Sequence, residues 1–274
     1  MDQKRIIDEF KELVSIEVHS RDERSIADVL KEKLTALGLT VTEDKAGEVL
    51  GGNTGNLYAQ LPGSTDGEPV LFSAHMDRVG NHGHIVPLVK EEEGKIVSDG
   101  TSILAGDDIG GVAAILAMLR EVKEKQIPHG PIEVAFSVCE ETGVEGSRQY
   151  DFSKFRSKSA FVYDASGKAG TIVLAAPSKG RVTIRVHGVT AHAGNEPEKG
   201  LNALKVAADL IMQLPDGRLS PVSTANFSII EAGSATNVVC DLVTITGEQR
   251  SRDAKEYQQI SADIQAAACL LYTS

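Results

Sequence analysis

The sequence predicts an α/β fold in which a mixed, mostly parallel sheet is flanked by helices. Two observations predict it. Up to Pro177, short apolar segments alternate with segments of helical periodicity, which is typical of a largely parallel sheet. After Pro177 the order becomes strand, helix, strand, strand, helix, a split βαβ arrangement of ferredoxin-like α+β type without its last strand.

Two predicted helices open the chain. The first covers residues 3–14. The second begins after Ser25, a residue type that caps helices, and ends at Leu37, before Gly38. A third helix is predicted over residues 109–125, where apolar side chains recur on one face.

The predicted strands fall into two groups. Those before Pro177 cover residues 39–43, 56–61, 69–74, 132–138, 159–163 and 171–175. After it, strands are predicted over 181–186, 225–231 and 238–247, with helices over 201–214 and 253–268. We therefore expect two domains, residues 1–177 and residues 178–274.

Composition excludes several classes of protein. The 274 residues carry a formal net charge of −11, which disfavours binding to nucleic-acid phosphates. The sequence holds no apolar run of the roughly 20 residues that span a bilayer, and its first residues lead into an amphipathic helix. Three widely spaced cysteines favour neither a disulfide framework nor a thiolate metal site. We expect a cytoplasmic protein without nucleic-acid or membrane partners.

Four clusters of metal-binding residue types follow predicted strands or open a predicted helix. They are SAHMD with His75 and Asp77, AGDDIGG with Asp107 and Asp108, VCEETG with Glu140 and Glu141, and YDASG with Asp164. Ligands of open α/β sheets bind at the carboxyl ends of the strands, so these side chains are expected to meet. Imidazole with carboxylates suits zinc, with cobalt or manganese as substitutes.

Taken singly, each cluster has an ordinary alternative. His75 could be a structural histidine beside a chance aspartate, and the paired aspartates could cap a helix. A glycine-rich helix start could also cradle phosphate, although two carboxylates there would repel it. It is the occurrence of all four clusters that favours a metal centre.

The motifs SAHMD, SDGTSILAGDDIGG, VCEETG and YDASG resemble, in order and spacing, those of one zinc exopeptidase family. That family contains peptidase T, carboxypeptidase G, aminoacylase and succinyl-diaminopimelate desuccinylase, and the stretch from His75 to Asp108 is most similar to its peptidase T branch. The resemblance implies a two-metal hydrolase of short peptides with an inserted lid domain that dimerises, and a tripeptide aminopeptidase is the leading interpretation. A carboxypeptidase, an N-acyl-amino-acid amidohydrolase and an inactive metal-binding fragment stay open.

The resemblance also implies the metal ligands. His75, Asp107 and Asp164 would hold the first metal, while Asp107 would bridge to a second metal that Glu141 also binds. It further implies a cis peptide bond between Asp107 and Asp108.

Further roles follow from the same resemblance. Glu140 would be the general base, and Asp77 would hold the imidazole of the histidine ligand. In the lid, His192, Asn237 and Arg250 resemble substrate-contacting positions. The alternative is that the first two are turn residues and that the arginine is a solvated strand end.

The family takes a final histidine ligand from a C-terminal segment that returns to the catalytic domain. On this resemblance we expect the sequence to be C-terminally truncated, with an incomplete lid and a second metal that lacks one ligand.

Overall fold

The computed structural model describes residues 2–80, 83–168 and 170–270. These residues form two compact units, with the division between Thr171 and Ile172. The change of pattern along the sequence predicts the division six residues later, after Pro177. The last four residues and His82 lie outside the described part of the chain.

The first unit holds most of the predicted elements. Its helices are α1 (Gln3–Val14), α2 (Arg24–Ala36), α3 (Ala46–Leu50) and α4 (Gly106–Glu124). Its strands are β1 (Thr40–Glu43), β2 (Leu57–Leu61), β3 (Val70–His75), β4 (Pro87–Lys90), β5 (Lys95–Ser98), β6 (Ile132–Ser137) and β7 (Ser159–Val162). Helix α3 and the β4–β5 hairpin are elements that the sequence pattern did not predict.

The main sheet has the order β1-β2-β6-β3-β7. Strand β3 pairs in parallel with both β6 and β7, and β2 is antiparallel to both of its neighbours. Four of the five strands therefore run in one direction, which confirms the prediction of a mixed, mostly parallel sheet. The carboxyl ends of β3, β6 and β7 lie together at one edge.

Apolar side chains of α1, α2 and α4 form one buried core with the central strands. Strand β6 is buried along its whole length, as expected for a strand in the middle of a covered sheet. The predicted cap of α2 is wrong. Glu23 precedes the helix, and Ser25 lies inside its first turn, where the Ser25 hydroxyl donates to the carbonyl of Glu17 at 3.1 Å.

The second unit is a four-stranded antiparallel sheet covered by two helices. It contains β8 (Ser178–His187), α5 (Ala203–Ile211), β9 (Gly217–Ser220), β10 (Ser223–Ala232), β11 (Leu242–Ser251) and α6 (Ala254–Leu270). The sheet order is β8-β11-β10-β9, and buried residues of both helices form its core. The split βαβ pattern is present, with β9 as an extra edge strand.

Residues 171–175, predicted as a strand, are not one. They pair with no other strand of the described structure, and Ile172, Val173 and Leu174 are exposed. An apolar run forms a strand only when a partner meets its backbone groups. Within the described residues, no helix has both the length and the apolar character that crossing a membrane requires.

Candidate metal centre

Three neighbouring strand ends and one helix start bring the predicted site residues together. His75 is the last residue of β3, and the turn after β6 carries Glu140 and Glu141. Asp164 follows β7, whose path beside β3 is continued by a hydrogen bond from Tyr163 N–H to the carbonyl of Ser73 at 2.9 Å. Parallel pairing thus places a histidine and three acids at one sheet edge.

His75 is buried and lies at the centre of the cluster. Its Nε2 lies 3.0 Å from Asp107 Oδ1 and 4.0 Å from Glu140 Oε2. Its Nδ1 lies 3.0 Å from the backbone carbonyl of Asp77 and 3.4 Å from Asp77 Oδ1. The Nδ1 contacts fix the ring orientation, so that Nε2 faces the carboxylates that surround it.

Asp77 has no exposed surface and does more than hold the histidine. Its Oδ1 accepts the N–H of Glu140 at 2.9 Å, and its Oδ2 accepts the N–H of Glu141 at 3.1 Å. The hydroxyl of Ser20 donates to Oδ2 at 2.7 Å. One buried carboxylate therefore ties the histidine to the backbone of both acids.

The start of α4 supplies Asp107 and Asp108. The peptide bond between them is cis, as predicted, and neither residue has helical dihedral angles. The Asp107 side chain is largely exposed, whereas Asp108 is buried and its Oδ2 accepts the N–H of His75 at 3.2 Å. Asp107 faces the cluster, and Asp108 anchors the helix start to β3.

Gly111 is required by this packing. A Cβ atom built there would lie 2.3 Å from Asp108 Oδ1 and 2.7 Å from Tyr163 Cβ, closer than real side-chain carbons approach. The neighbouring Gly110 has no atom within 4 Å of a built Cβ. Of these two adjacent glycines, only Gly111 is needed for close approach.

The turn that carries both acids is held by three buried side chains: Asp77, predicted as the residue that holds His75, and Asn56 and Glu23, which were not predicted. Four successive backbone N–H groups donate to them: Val138 to Asn56, Cys139 to Glu23, and Glu140 and Glu141 to Asp77. Asn56 also donates to the carbonyl of Gly146 at 2.9 Å. No local pattern marks Asn56 or Glu23, because their partners lie 82 and 116 residues away along the chain.

Burial and mutual repulsion shift the protonation of the acids. Burial raises the pKa of Asp108 to about 7, with further repulsion from Asp164 and Asp107, against the opposing effect of His75. Burial likewise raises the pKa values of Glu140 and Glu141, and neighbouring carboxylates add to both shifts. A cluster of this kind favours a bound cation, because a cation relieves the repulsion between ionised groups.

When no metal is bound, the surrounding carboxylates favour the protonated form of His75. Burial would lower its pKa, but Asp77 and the neighbouring aspartates outweigh that effect and raise it to about 10. Burial would also raise the pKa of Asp77, yet hydrogen bonds from His75 and Ser20 lower it. Asp77 therefore stays ionised, as a residue that orients a metal-binding imidazole should be.

The donor atoms fit a metal site. Among the described residues, there are two groups of three in which each residue offers a ligand atom and these atoms lie within 4.8 Å of one another. They are His75 with Asp107 and Glu141, and His75 with Glu140 and Asp164. The four predicted ligands occur across the two groups, although the first-metal set predicted from the family is divided between them. Nitrogen and oxygen donors of this kind suit zinc and similar divalent cations.

The three predicted lid residues all lie in the second unit. There, His192 forms an isolated bridge with Val238, and the carbonyl of Asn237 accepts the N–H of Ala193 at 2.9 Å. His192 and Asn237 are thus neighbours. Arg250 lies eight residues along β11 from Leu242, about 26 Å at the usual strand rise, and its Nε donates to Glu248 at 2.6 Å.

Two family models match the chain, and both describe peptidases. The model of the peptidase dimerisation domain matches residues 177–269, and that of peptidase family M28 matches residues 56–194. An α/β unit with clustered imidazole and carboxylate donors, followed by a dimerisation domain, defines the class as metal-dependent peptidases.

Relatives and solved structures narrow this class. The uncharacterised protein YqjE of Bacillus subtilis is 39% identical over 251 residues, 92% of this chain and 67% of the relative. Carboxypeptidase G2 of a Pseudomonas species is 30% identical, over 91% of this chain and 60% of the relative. The aminopeptidase PepT of Bacillus cereus matches with a TM-score of 0.90 and 40% identity, over 98% of this chain and 72% of that one. A tripeptidase of Staphylococcus aureus matches with a TM-score of 0.92 and 34% identity, over 99% and 73%.

The chain belongs to the peptidase T-like family of metal-dependent peptidases, which confirms the resemblance seen in its motifs. It spans between 54% and 67% of the length of the curated relatives that it matches.

Proposed function

We propose that the protein is a di-metal exopeptidase that removes N-terminal residues from short peptides, with tripeptides as its leading substrates. The observation that carries this proposal is the convergence of Asp107, Glu140, Glu141 and Asp164 around the buried ring of His75. The likeness to an aminopeptidase and a tripeptidase at 40% and 34% identity supports the substrate class.

The proposed ligands are the predicted ones. His75, Asp107 and Asp164 would hold one divalent cation, and Asp107 with Glu141 would hold a second. Zinc is the proposed metal, with cobalt or manganese as substitutes. When bound, such cations polarise a peptide carbonyl and acidify water, which is the chemistry that amide hydrolysis requires.

Glu140 is the proposed general base. Its side chain is about one quarter exposed, 4.0 Å from His75 Nε2, and its backbone N–H is fixed by Asp77. A carboxylate so placed can take a proton from the attacking water and give it to the leaving amine. Burial and nearby carboxylates raise its pKa, which brings the group closer to neutral pH, where proton transfer is most efficient.

The second unit is proposed to contact substrate and to pair with a second copy of the chain. The match to a peptidase dimerisation domain supports the homodimer, and His192 and Asn237 are the proposed substrate contacts near each other. Arg250 remains a third, separate prediction. Light scattering of the purified protein tests the dimer, and a monomer at all concentrations would contradict it. The predicted cytoplasmic location stays a prediction.

A carboxypeptidase is the second candidate, because carboxypeptidase G2 is among the 30% identical relatives. One experiment separates the candidates. The purified chain is loaded with zinc or cobalt, its metal content is measured, and three peptides are offered: a free tripeptide, an N-blocked tripeptide and a C-amidated one.

Cleavage that requires the free amine supports the aminopeptidase, whereas cleavage that requires the free carboxylate supports the carboxypeptidase. Hydrolysis of the N-blocked peptide at its blocking group would indicate an N-acyl amidohydrolase. Bound metal without any cleavage would overturn the proposed activity and leave a metal-binding protein.

Glu140→Gln is the decisive variant, with Glu145→Gln as its control in the same turn. Glu145 pairs with Arg21 at 2.9 Å and has no proposed part in metal binding or proton transfer. Loss of turnover in the first variant alone, at unchanged metal content, supports Glu140 as the base. Equal turnover in both variants would contradict that role.

A further inference from the structure

Glu23 is a buried acid beside the site that the proposed chemistry does not use. It has no exposed surface, and its Oε1 accepts the N–H of Cys139 at 3.0 Å and contacts the Cys139 thiol at 3.6 Å. Its Oε2 is buried and has no hydrogen-bond partner among the described residues. A buried carboxylate satisfied at one oxygen alone is costly, so packing does not explain its presence.

Cys139 is the residue at which the chain leaves β6 for the two acids. Its φ angle is 51°, a left-handed conformation that is unfavourable for a residue with a side chain. The carbonyl of Cys139 accepts the N–H of Glu145 at 3.0 Å, and its N–H donates to Glu23. This conformation turns the next two N–H groups toward Asp77 and their side chains toward His75.

The thiol itself is not the reason for the contact. Burial raises the pKa of the Cys139 thiol to about 12, and the neighbouring Glu23 adds to that shift. The thiol therefore stays protonated at neutral pH and is no nucleophile. What Glu23 contributes is an acceptor for the backbone.

The segment before α2 reaches the same turn at a second point. The guanidinium of Arg21 donates to Glu145 at 2.9 Å, and the hydroxyl of Thr142 donates to the same Glu145 oxygen at 2.9 Å. Arg21 also has a left-handed backbone, with φ at 77°. The short connection between α1 and α2 thus holds the turn from one side, while Asp77 holds it from the other.

We propose that Glu23 is a positioning residue, which fixes the left-handed turn at Cys139 and so aims Glu140 and Glu141 at the metal centre. This role rests on the proposed function, because the metal ion that Glu140 and Glu141 would face is itself part of that proposal. The fixing of the turn itself is independent of that ligand and of any peptidase activity.

Three substitutions at Glu23 separate the effect of its hydrogen-bond acceptor from the effect of its negative charge. Glu23→Gln keeps the acceptor in place without the charge, Glu23→Asp keeps the charge but withdraws it by one methylene, and Glu23→Ala removes both. Glu133→Ala is the matched control. Glu133 is equally buried and accepts the N–H groups of Arg156 and Ser157, but it lies near the start of β6, about 20 Å along the chain from Cys139.

The first measurement is cobalt binding to the full chain, followed by titration and by the visible absorption of the bound ion. Loss of a residue that orients ligands typically weakens metal binding by about 10–100-fold. We expect that loss in Glu23→Ala, with an altered cobalt spectrum, a smaller loss in Glu23→Asp, and recovery of most of the affinity in Glu23→Gln. Glu133→Ala should bind cobalt as the unsubstituted chain does.

The second measurement needs neither metal nor substrate. Hydrogen exchange of the amides of residues 139–141 should speed up in Glu23→Ala and Glu23→Asp, but not in Glu23→Gln or Glu133→Ala. Should Glu23→Ala fail to fold, the Gln and Asp variants still decide the matter.

Unchanged exchange at these amides in both Ala and Asp variants would overturn the proposal. So would full retention of affinity by Glu23→Asp with loss in Glu23→Gln, since charge and not the hydrogen bond would then be responsible. Cobalt binding without peptide cleavage by the unsubstituted chain would reject the proposed activity alone.

Discussion

The two adjacent glycines at the start of α4 offer the sharpest test of how the site is packed. Gly111→Ala places a Cβ atom 2.3 Å from Asp108 Oδ1 and 2.7 Å from Tyr163 Cβ. The first distance is about 1 Å shorter than the roughly 3.5 Å at which non-bonded heavy atoms pack. Either the Asp108 carboxylate or the helix itself must move.

The expected cost follows from what is displaced. Overpacking a filled site costs about 1–3 kcal/mol. If Asp108 moves, the buried N–H of His75 loses its acceptor at 3.2 Å, which adds about 1–3 kcal/mol. The better helix propensity of alanine returns only about 1 kcal/mol, so a net loss of about 1–5 kcal/mol is expected if Asp108 moves.

Gly110→Ala provides the matched control, because its built Cβ meets nothing within 4 Å. It should be neutral, or more stable by up to about 1 kcal/mol. Calorimetric melting of both variants measures the difference, and a loss of 2 kcal/mol corresponds to a fall in Tm of about 4–8 °C for a unit of this size. Equal Tm values for the two variants would refute the claim that α4 packs too closely here for a side chain.

Four further predictions concern the site and its support. Glu140→Gln should lower turnover by about 10²–10⁴-fold at unchanged metal content, measured by steady-state kinetics and metal analysis, and retained turnover would count against the base. Asp77→Asn should weaken cobalt binding by about 10–100-fold in titration, because its carboxylate orients His75 and both acid amides, and unaltered affinity would show that it does not. Asn56→Leu leaves the buried N–H of Val138 and the buried carbonyl of Gly146 without a hydrogen bond. Each loss should lower the free energy of unfolding, measured with denaturant, by about 1–3 kcal/mol, and an unchanged free energy would contradict this prediction. Burial would raise the pKa of Glu133, but hydrogen bonds from Ser157, Arg156 and Tyr58 lower it below its ordinary value of 4.5. The ionised carboxylate therefore stabilises the folded state fully above pH 4.5. This stabilisation is lost as the pH falls through the lower pKa that Glu133 has in the folded state. The stability advantage over Glu133→Gln, followed by unfolding between pH 7 and 3, should therefore shrink on acidification, and an advantage that grows would reverse the assigned sign.

The residues of the candidate site could be predicted because each stands in a local pattern. His75 ends an apolar strand, Glu140 and Asp164 each follow one, and the paired aspartates lie at the start of a helix whose first six residues include three glycines. Parallel pairing then brings such strand ends to one edge without further information. The order and spacing of the motifs also indicate the family, because both are properties of the sequence alone.

Local pattern failed where a partner was required from elsewhere. The apolar run at residues 171–175 is typical of a strand, yet no described strand pairs with it. Ser25 is a good capping residue by type, but the helix begins one residue before it. In both places the tertiary contacts outweighed the intrinsic preference of the residues for a helix cap or a strand, because that preference contributes little free energy by itself.

The sequence by itself determined the α/β class, the succession of elements and the residues that converge on the candidate metal centre, because periodicity and motif spacing are local properties of a chain. Only the tertiary structure decided which acids are buried, which ones hold the turn and which glycine must lack a side chain. Glu23 and Asn56 look like an ordinary helix-start acid and a turn residue. Their roles come from backbone amides 116 and 82 residues away, and a contact of that range exists only once the chain has folded.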